Sequence, residues 1–184
     1  MTSAEKIETL VKAHLLPQEV FHLDIRPEWG SENAEYRQEI RKGILDFLKQ
    51  HHPDQIEDSI WDLEAPPVLK NFFVSISHCN GMGGFAFSNR SLGFDIEDVT
   101  RISTKIIERI STESEVADSP EVELLWSAKE AVFKSSTEFY TIAHIQILDW
   151  KPSQNDTYSF TSLTAIGWAF RDSTHSYAIA VKKS

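Results

Sequence analysis

An α+β fold is predicted by three features of this 184-residue chain. Apolar residues recur at helical spacing through the first fifty residues and again from Leu124 to Lys134. Short alternating runs lie between those stretches. From Ile145 onward the pattern is alternation alone, in four runs parted by polar turns. Helices mixed with strands, then a helix and a run of strands, is the order of an α+β protein.

Hydrophobic residues make up 41% of the chain, enough for a substantial core in one domain or two closely packed halves. A net charge of -10 argues against a general nucleic-acid binder. The one cysteine, Cys79, has no partner for an internal disulfide, which favours a reducing compartment. No signal peptide is visible, and no apolar run is long enough to cross a bilayer. A cytoplasmic monomer that engages no membrane is the expectation.

Taken in order, Thr2-Ser3-Ala4-Glu5 has the form of a capping box. The stripe Ala4, Ile7, Leu10, Val11, Leu15 continues it as a helix to about Leu16, closed by Pro17. Val20–Ile25 alternates as a half-buried strand that Pro27 ends. Ser31 or Asn33 caps the next helix, with Tyr36, Ile40, Ile44, Phe47 and Leu48 inward and Arg37, Arg41 and Lys42 on or beside the polar face. From His51 to Pro67 the chain is polar and broken by proline, a loop with a short strand around Trp61-Asp62-Leu63.

Phe72–Ser77 reads as a strand entering the turn Cys79-Asn80-Gly81-Met82-Gly83-Gly84. Its glycines fit neither the dinucleotide fingerprint nor the P-loop, so a tight hairpin into Phe85-Ala86-Phe87 is expected. Cys79 beside His78 invites a nucleophile pair, but adjacent strand residues point to opposite faces. Asp98–Ile110 reads as one helix with Arg101, Lys105 and Arg109 in a row on one face, a pattern suited to an acidic partner. Residues 115–123 read as an acidic connection. Leu124–Lys134, rich in helix formers, is a largely buried helix. Runs at Ile145–Trp150, Tyr158–Leu163, Ile166–Phe170 and Ser176–Val181 form an antiparallel meander.

The chemistry concentrates in Gly93-Phe94-Asp95-Ile96-Glu97. As a strand it sends Phe94 and Ile96 to one face and both carboxylates to the other, roughly 6.6 Å apart at about 3.3 Å per residue. Such a pair suits one hard cation such as Mg²⁺, which takes oxygen ligands and fills its shell with water and phosphate. Glu130, among the apolar residues of the later helix, is a candidate third ligand. Its bland alternative is an ion pair with Lys134.

Ser75-Ile76-Ser77-His78, then Gly93-Phe94-Asp95-Ile96-Glu97, then Trp126-Ser127-Ala128-Lys129-Glu130-Ala131-Val132-Phe133-Lys134 resembles, in order and separation, the signature of the 4′-phosphopantetheinyl transferases, in the two-half, surfactin-synthetase-activating type. The resemblance implies two similar α+β halves about a pseudo-twofold axis, residues 1–89 and 90–184, joined near Asn89 to Ser91 with the active site between them. It also implies transfer of the 4′-phosphopantetheine arm of coenzyme A to a serine of an acyl or peptidyl carrier protein. Mg²⁺ on Asp95, Glu97 and Glu130 would take the diphosphate, His78 and Arg37 would contact coenzyme A phosphates, and Lys134, helped by Lys129 or His78, would stabilise the leaving group. Glu115, with Glu113 as the second register, would be the base. The carrier would dock on the Arg101, Lys105, Arg109 face. Two elements depart from the family: Ala65-Pro66-Pro67 stands where relatives often have Gly-Lys-Pro, and no glycine follows Lys134 in Ser135–Tyr140. The rival readings are a Mg²⁺-dependent phosphohydrolase acting on a nucleotide or coenzyme A diphosphate, and a non-catalytic carrier-binding relative.

Overall fold

The structure, a computed structural model, describes residues 3–14, 17–56, 61, 65–136, 141–153 and 156–183. Helix α1 (Ser3–Lys12) leads to strand β1 (Phe21–Arg26), which Pro27 ends by opening a 3₁₀ turn. Helix α2 (Tyr36–His51) has Glu35 rather than Ser31 or Asn33 as its N-cap residue, with no side-chain cap bond; Asn33 Oδ1 instead accepts the Glu35 amide at 3.0 Å in the turn before it. The Thr2 cap, Leu15–Leu16 and the strand expected at Asp62-Leu63 fall outside the described residues, and Trp61 has no regular structure.

Strands β2 (Phe73–Cys79) and β3 (Met82–Ser88) form a hairpin whose turn is Asn80-Gly81 alone. Gly81 there has φ 75°, which glycine adopts without steric cost. With β1 they make an antiparallel sheet of order β1-β3-β2. Its outer face carries α2, whose Ile40, Ile44 and Leu48 pack with Trp29, Phe85 and Phe87.

The second sheet has the order β4-β8-β7-β6-β5. It comprises β4 (Leu92–Asp98), β5 (Leu148–Pro152), β6 (Thr157–Thr161), β7 (Ala165–Arg171) and β8 (His175–Lys182). The meander is as expected; that β4 completes its edge beside β8 is not visible in local patterning, because the pairing closes a long loop. Helix α5 (Val122–Lys134) covers the outer face, setting Leu124, Leu125, Ala128, Ala131 and Val132 against Phe160, Ala165, Ala169, Ala178 and Ala180. Inner faces of both sheets, with Ile7 and Val11 of α1, enclose the central core around Phe21, Leu23, Phe94, Ile96, Trp168 and Tyr177.

Two serine hydroxyls join the sheets. As an edge strand β4 leaves every other amide without a ladder partner. Ser75 Oγ accepts from Phe94 N at 2.9 Å and Ser77 Oγ accepts from Ile96 N at 3.0 Å, so β2 satisfies them with side chains.

Residues 98–110 depart from expectation. Instead of one helix they form a 3₁₀ turn (Val99–Arg101) and, after extended Ile102 and Ser103, the single-turn helix α3 (Thr104–Ile107). The Asp98 carboxylate accepts from Thr100 N at 2.8 Å and starts the 3₁₀ turn, and the extended pair then breaks the helical phase. Arg101, Lys105 and Arg109 are all exposed but do not form one row. The connection expected at 115–123 is partly helix α4 (Glu113–Asp118), nucleated by a capping box between Thr112 and Glu115.

Candidate active site

Strand β4 meets α5 at Gly93, where a Cβ would stand 1.9 Å from the Ala131 carbonyl oxygen. Only glycine lets the helix lie this close. Two residues on, the same face presents Asp95, then Glu97, toward α5, while Phe94 and Ile96 enter the core. Asp95, Glu97, Trp126, Glu130 and Lys134 together line a cleft of about 300 Å³, with Ile76, Ser77, His78 and Ile96 from the strands.

Asp95 is 5% exposed. Its Oδ1 receives Lys134 Nζ at 2.8 Å and the Ser77 hydroxyl at 3.1 Å, while its Oδ2 is buried and accepts no hydrogen bond among the described residues. Lys134 Nζ also reaches Phe94 O and Ser77 Oγ, each at 3.2 Å. The alternative of a Glu130–Lys134 ion pair is therefore not what Lys134 makes; it spans to β4 instead. Glu97 Oε1 accepts from Asp98 N at 3.0 Å and Arg101 at 3.2 Å. Glu130 has no hydrogen bond or ion pair among the described residues.

Burial raises the Glu97 carboxyl above the ordinary range, with Asp95 adding repulsion against the Asp98 amide and Arg101. Burial likewise raises Glu130, reinforced by Asp95 and only partly opposed by Lys134. Carboxylates crowded in a partly dry cleft repel one another, and a cation relieves that cost. Among the described residues no three such side chains are gathered closely enough to coordinate an ion as they stand. The donor set, the shared cleft and the unpartnered Asp95 Oδ2 nonetheless fit a hard divalent cation.

His78 also lines a cavity of about 130 Å³, with Tyr36, Arg37, Ile40, Arg41, Ala65, Pro66 and Ile76. Burial lowers the imidazole pKa, and the cations of Lys134 and Arg37 lower it further, so it is neutral near pH 7. Its Nδ1 is buried without a partner and its ring packs on Tyr36 at 4.3 Å. His78 and Ile76 thus join the carboxylate cleft to a basic, aromatic cavity. Ala65-Pro66, which stands where relatives often have Gly-Lys-Pro, forms part of that cavity's wall. Neighbouring Cys79 faces the other way into the core, where burial pushes its thiol up to about 12, so the nucleophile pair is absent.

Two sequence-derived residues lie elsewhere. Lys129, fully buried, pairs with Glu115 at 2.7 Å and donates to the carbonyls of Ile110, at 3.0 Å, and Ile145. Burial alone would raise the Glu115 carboxyl; Lys129 and the amides of Thr112 and Ile147 outweigh it and hold the carboxyl below the usual range. Glu115 borders a different cavity, with Arg109, Thr112 and His144. The expectation of Glu115 as base and Lys129 as a phosphate contact is thereby corrected: helix α5 turns Lys129 away from the face carrying Trp126, Glu130 and Lys134, and a buried ammonium requires that carboxylate. Glu113, on the surface of α4, does not line the cleft either. Conversely, Ser77, to which the motif assigns no role, lines the cleft and bonds Asp95. A larger cavity of about 500 Å³ lies between α2 and β1, but its charges include the internal Arg26–Asp24 pair at 2.7 Å, and it contains none of the motif residues.

Residues 91–182 match the model of the 4′-phosphopantetheinyl transferase superfamily, half of the chain and the half that carries Asp95, Glu97, Glu130 and Lys134. The chain belongs to this superfamily. Enterobactin synthase component D of Escherichia coli (strain K12) is 28% identical over 127 residues, covering 62% of this chain and 61% of that protein. The chain thus spans about three fifths of the relative's length. His78, Ser77 and Arg37 precede the matched span, so the small cavity of this superfamily member rests on the fold rather than on that match. No helix among its described residues is long and apolar enough to cross a membrane.

Proposed function

We propose that the chain transfers the 4′-phosphopantetheine arm of coenzyme A to a serine of an acyl or peptidyl carrier protein. The observation that carries this reading is the single cleft where carboxylates of β4 and α5 meet Lys134 and His78, in a member of this superfamily. Asp95, Glu97 and Glu130 would hold Mg²⁺, which when bound supplies charge neutralisation at a diphosphate.

Lys134 stands where it can donate to the phosphate of the departing 3′,5′-ADP, and neutral His78 can donate to a phosphate without adding bulk charge. Arg37 and Arg41 flank the small cavity beyond and suit the nucleotide's anionic groups. The carrier serine oxygen bonds to the β-phosphorus as the bond to the ADP phosphate breaks. Its proton leaves to a carboxylate of the cleft, directly or through water. Arg101, which reaches Glu97 of the cleft at 3.2 Å, and the exposed Lys105 and Arg109 are the proposed docking cations for an acidic carrier. The proposal also carries the division into halves 1–89 and 90–184, each supplying one sheet with a helix outside it.

Mass spectrometry of a panel of apo carriers incubated with the protein, Mg²⁺ and coenzyme A tests the reading. A carrier gaining one phosphopantetheine supports it. Release of 3′,5′-ADP without any carrier would replace it with a phosphohydrolase, and carrier affinity without turnover or coenzyme A binding would leave a binding module.

A further inference from the structure

The geometry points to Ser77 as a positioning residue that fixes which oxygen of Asp95 is offered to a divalent cation. This rests on the metal-holding reading of the cleft given above. Ser77 is 5% exposed and lies on β2, outside the matched residues 91–182. Its hydroxyl has two lone pairs and one hydrogen. Both lone pairs are engaged, one by Ile96 N at 3.0 Å and one by Lys134 Nζ at 3.2 Å. The hydrogen must go outward to an acceptor, and Asp95 Oδ1 at 3.1 Å is nearer than the Ile96 carbonyl at 3.4 Å.

Oδ1 then holds two donors, the Ser77 hydroxyl and the Lys134 ammonium at 2.8 Å. Rotating the carboxylate would break both contacts at once. Oδ2 is left buried with no partner, although an unmade hydrogen bond on a buried charged oxygen is costly. Ser77 therefore holds Asp95 in a state with one oxygen satisfied by the protein and the other open to a cation. The same serine is anchored by a backbone amide of Asp95's own strand, so the orientation follows from how the two sheets meet. Ser75, two residues earlier, accepts from Phe94 N in the same manner but has no bond to Asp95, and it serves as an internal control.

The test is the affinity of the whole protein for Mn²⁺ alone, read from the electron paramagnetic resonance of the free ion. Ser77→Ala is expected to weaken Mn²⁺ about tenfold or more, the scale of losing an outer partner of a metal ligand. Ser75→Ala, which removes a comparable amide acceptor, is expected to stay within about threefold. In turnover, Ser77→Ala should raise the half-saturating Mg²⁺ concentration while kcat at saturating Mg²⁺ falls far less. Should Ser77→Ala fail to fold, Ser77→Cys, a weak donor of similar size, takes its place in the same comparison. Equal Mn²⁺ affinity in wild type and the Ser77 variant, or equal losses in the Ser75 and Ser77 variants, overturns the inference while leaving the metal site standing. A wild-type protein that binds no Mn²⁺ overturns both, and the reference titration alone distinguishes that outcome.

Discussion

Lys129 Nζ lies 2.7 Å from Glu115 Oε1, and both side chains are removed from solvent. With the Ile110 and Ile145 carbonyls also on the ammonium, this pair ties α5 to the segments on either side of it. Removing one partner leaves a buried charge alone, which costs about 3–5 kcal/mol. Lys129→Met should therefore lower the unfolding free energy extrapolated from urea titration by that margin and leave turnover of the folded enzyme within a few-fold. Lys134→Met should lose about a hundredfold or more in kcat, and because it strips the buried Asp95 of its ion-pair partner it should lower stability as well. Comparable turnover losses in both would return Lys129 to the reaction.

The same pair sets an acid limit. Because the folded Glu115 carboxyl is held below its ordinary value near 4.5, its contribution is fully present above that pH and is lost as pH falls through the folded value. Glu115→Gln should be less stable than wild type at pH 7, with the gap closing in the acid range below about 4.5. Denaturant midpoints measured from pH 7 to pH 3 decide it; a gap that does not vary with pH excludes the linkage.

Glu130 has the opposite sign. Burial and Asp95 raise its folded pKa, so the folded state binds its proton more readily and stability falls as pH rises through that value. In EDTA, Glu130→Gln should melt higher than wild type at pH 7, and the gain should shrink as the pH approaches 4.5. Transfer of phosphopantetheine should disappear in the same variant. A stable variant that still labels a carrier would remove Glu130 from the site.

Gly93→Ala tests the approach of α5 to β4. A methyl group 1.9 Å from the Ala131 carbonyl cannot be accommodated by a side-chain rotation, so the helix must shift. A loss of about 1–3 kcal/mol in stability, together with weaker Mn²⁺ binding, is the expected outcome by calorimetry and ion titration. A variant with wild-type stability and ion affinity would show that the contact does not set the cleft.

Charge steering of the carrier is tested by Lys105→Glu combined with Arg109→Glu. Both side chains are exposed and neither lines the cleft, so kcat should hold while kcat/KM for the carrier falls and loses its salt dependence. An unchanged salt dependence would place docking on another face.

The α+β order, the hairpin at Asn80-Gly81 and the placement of Asp95 and Glu97 opposite Phe94 and Ile96 were legible because each follows from local periodicity or turn chemistry. So was the shared face of Trp126, Glu130 and Lys134 on α5. What was illegible depends on contacts far apart in sequence. Nothing in the sequence around Glu115 states that Lys129 will meet it, although the turn of about 100° between adjacent helical residues already sets Lys129 off the Glu130 face. The break at Ile102-Ser103 was hidden because the polar and apolar residues on either side each suit a helix. The Thr112-x-x-Glu115 capping box was readable, and its presence explains why α4 stands where a connection was expected.

Cys79 carries a last consequence. A protein proposed to handle a cosubstrate that ends in a sulfhydryl keeps its own sulfur 1% exposed, facing the core, and protonated at every physiological pH. Oxidised coenzyme A and alkylating reagents should find no thiolate to attack, so the protein should tolerate peroxide and iodoacetamide in its native state and become labelled only when unfolded.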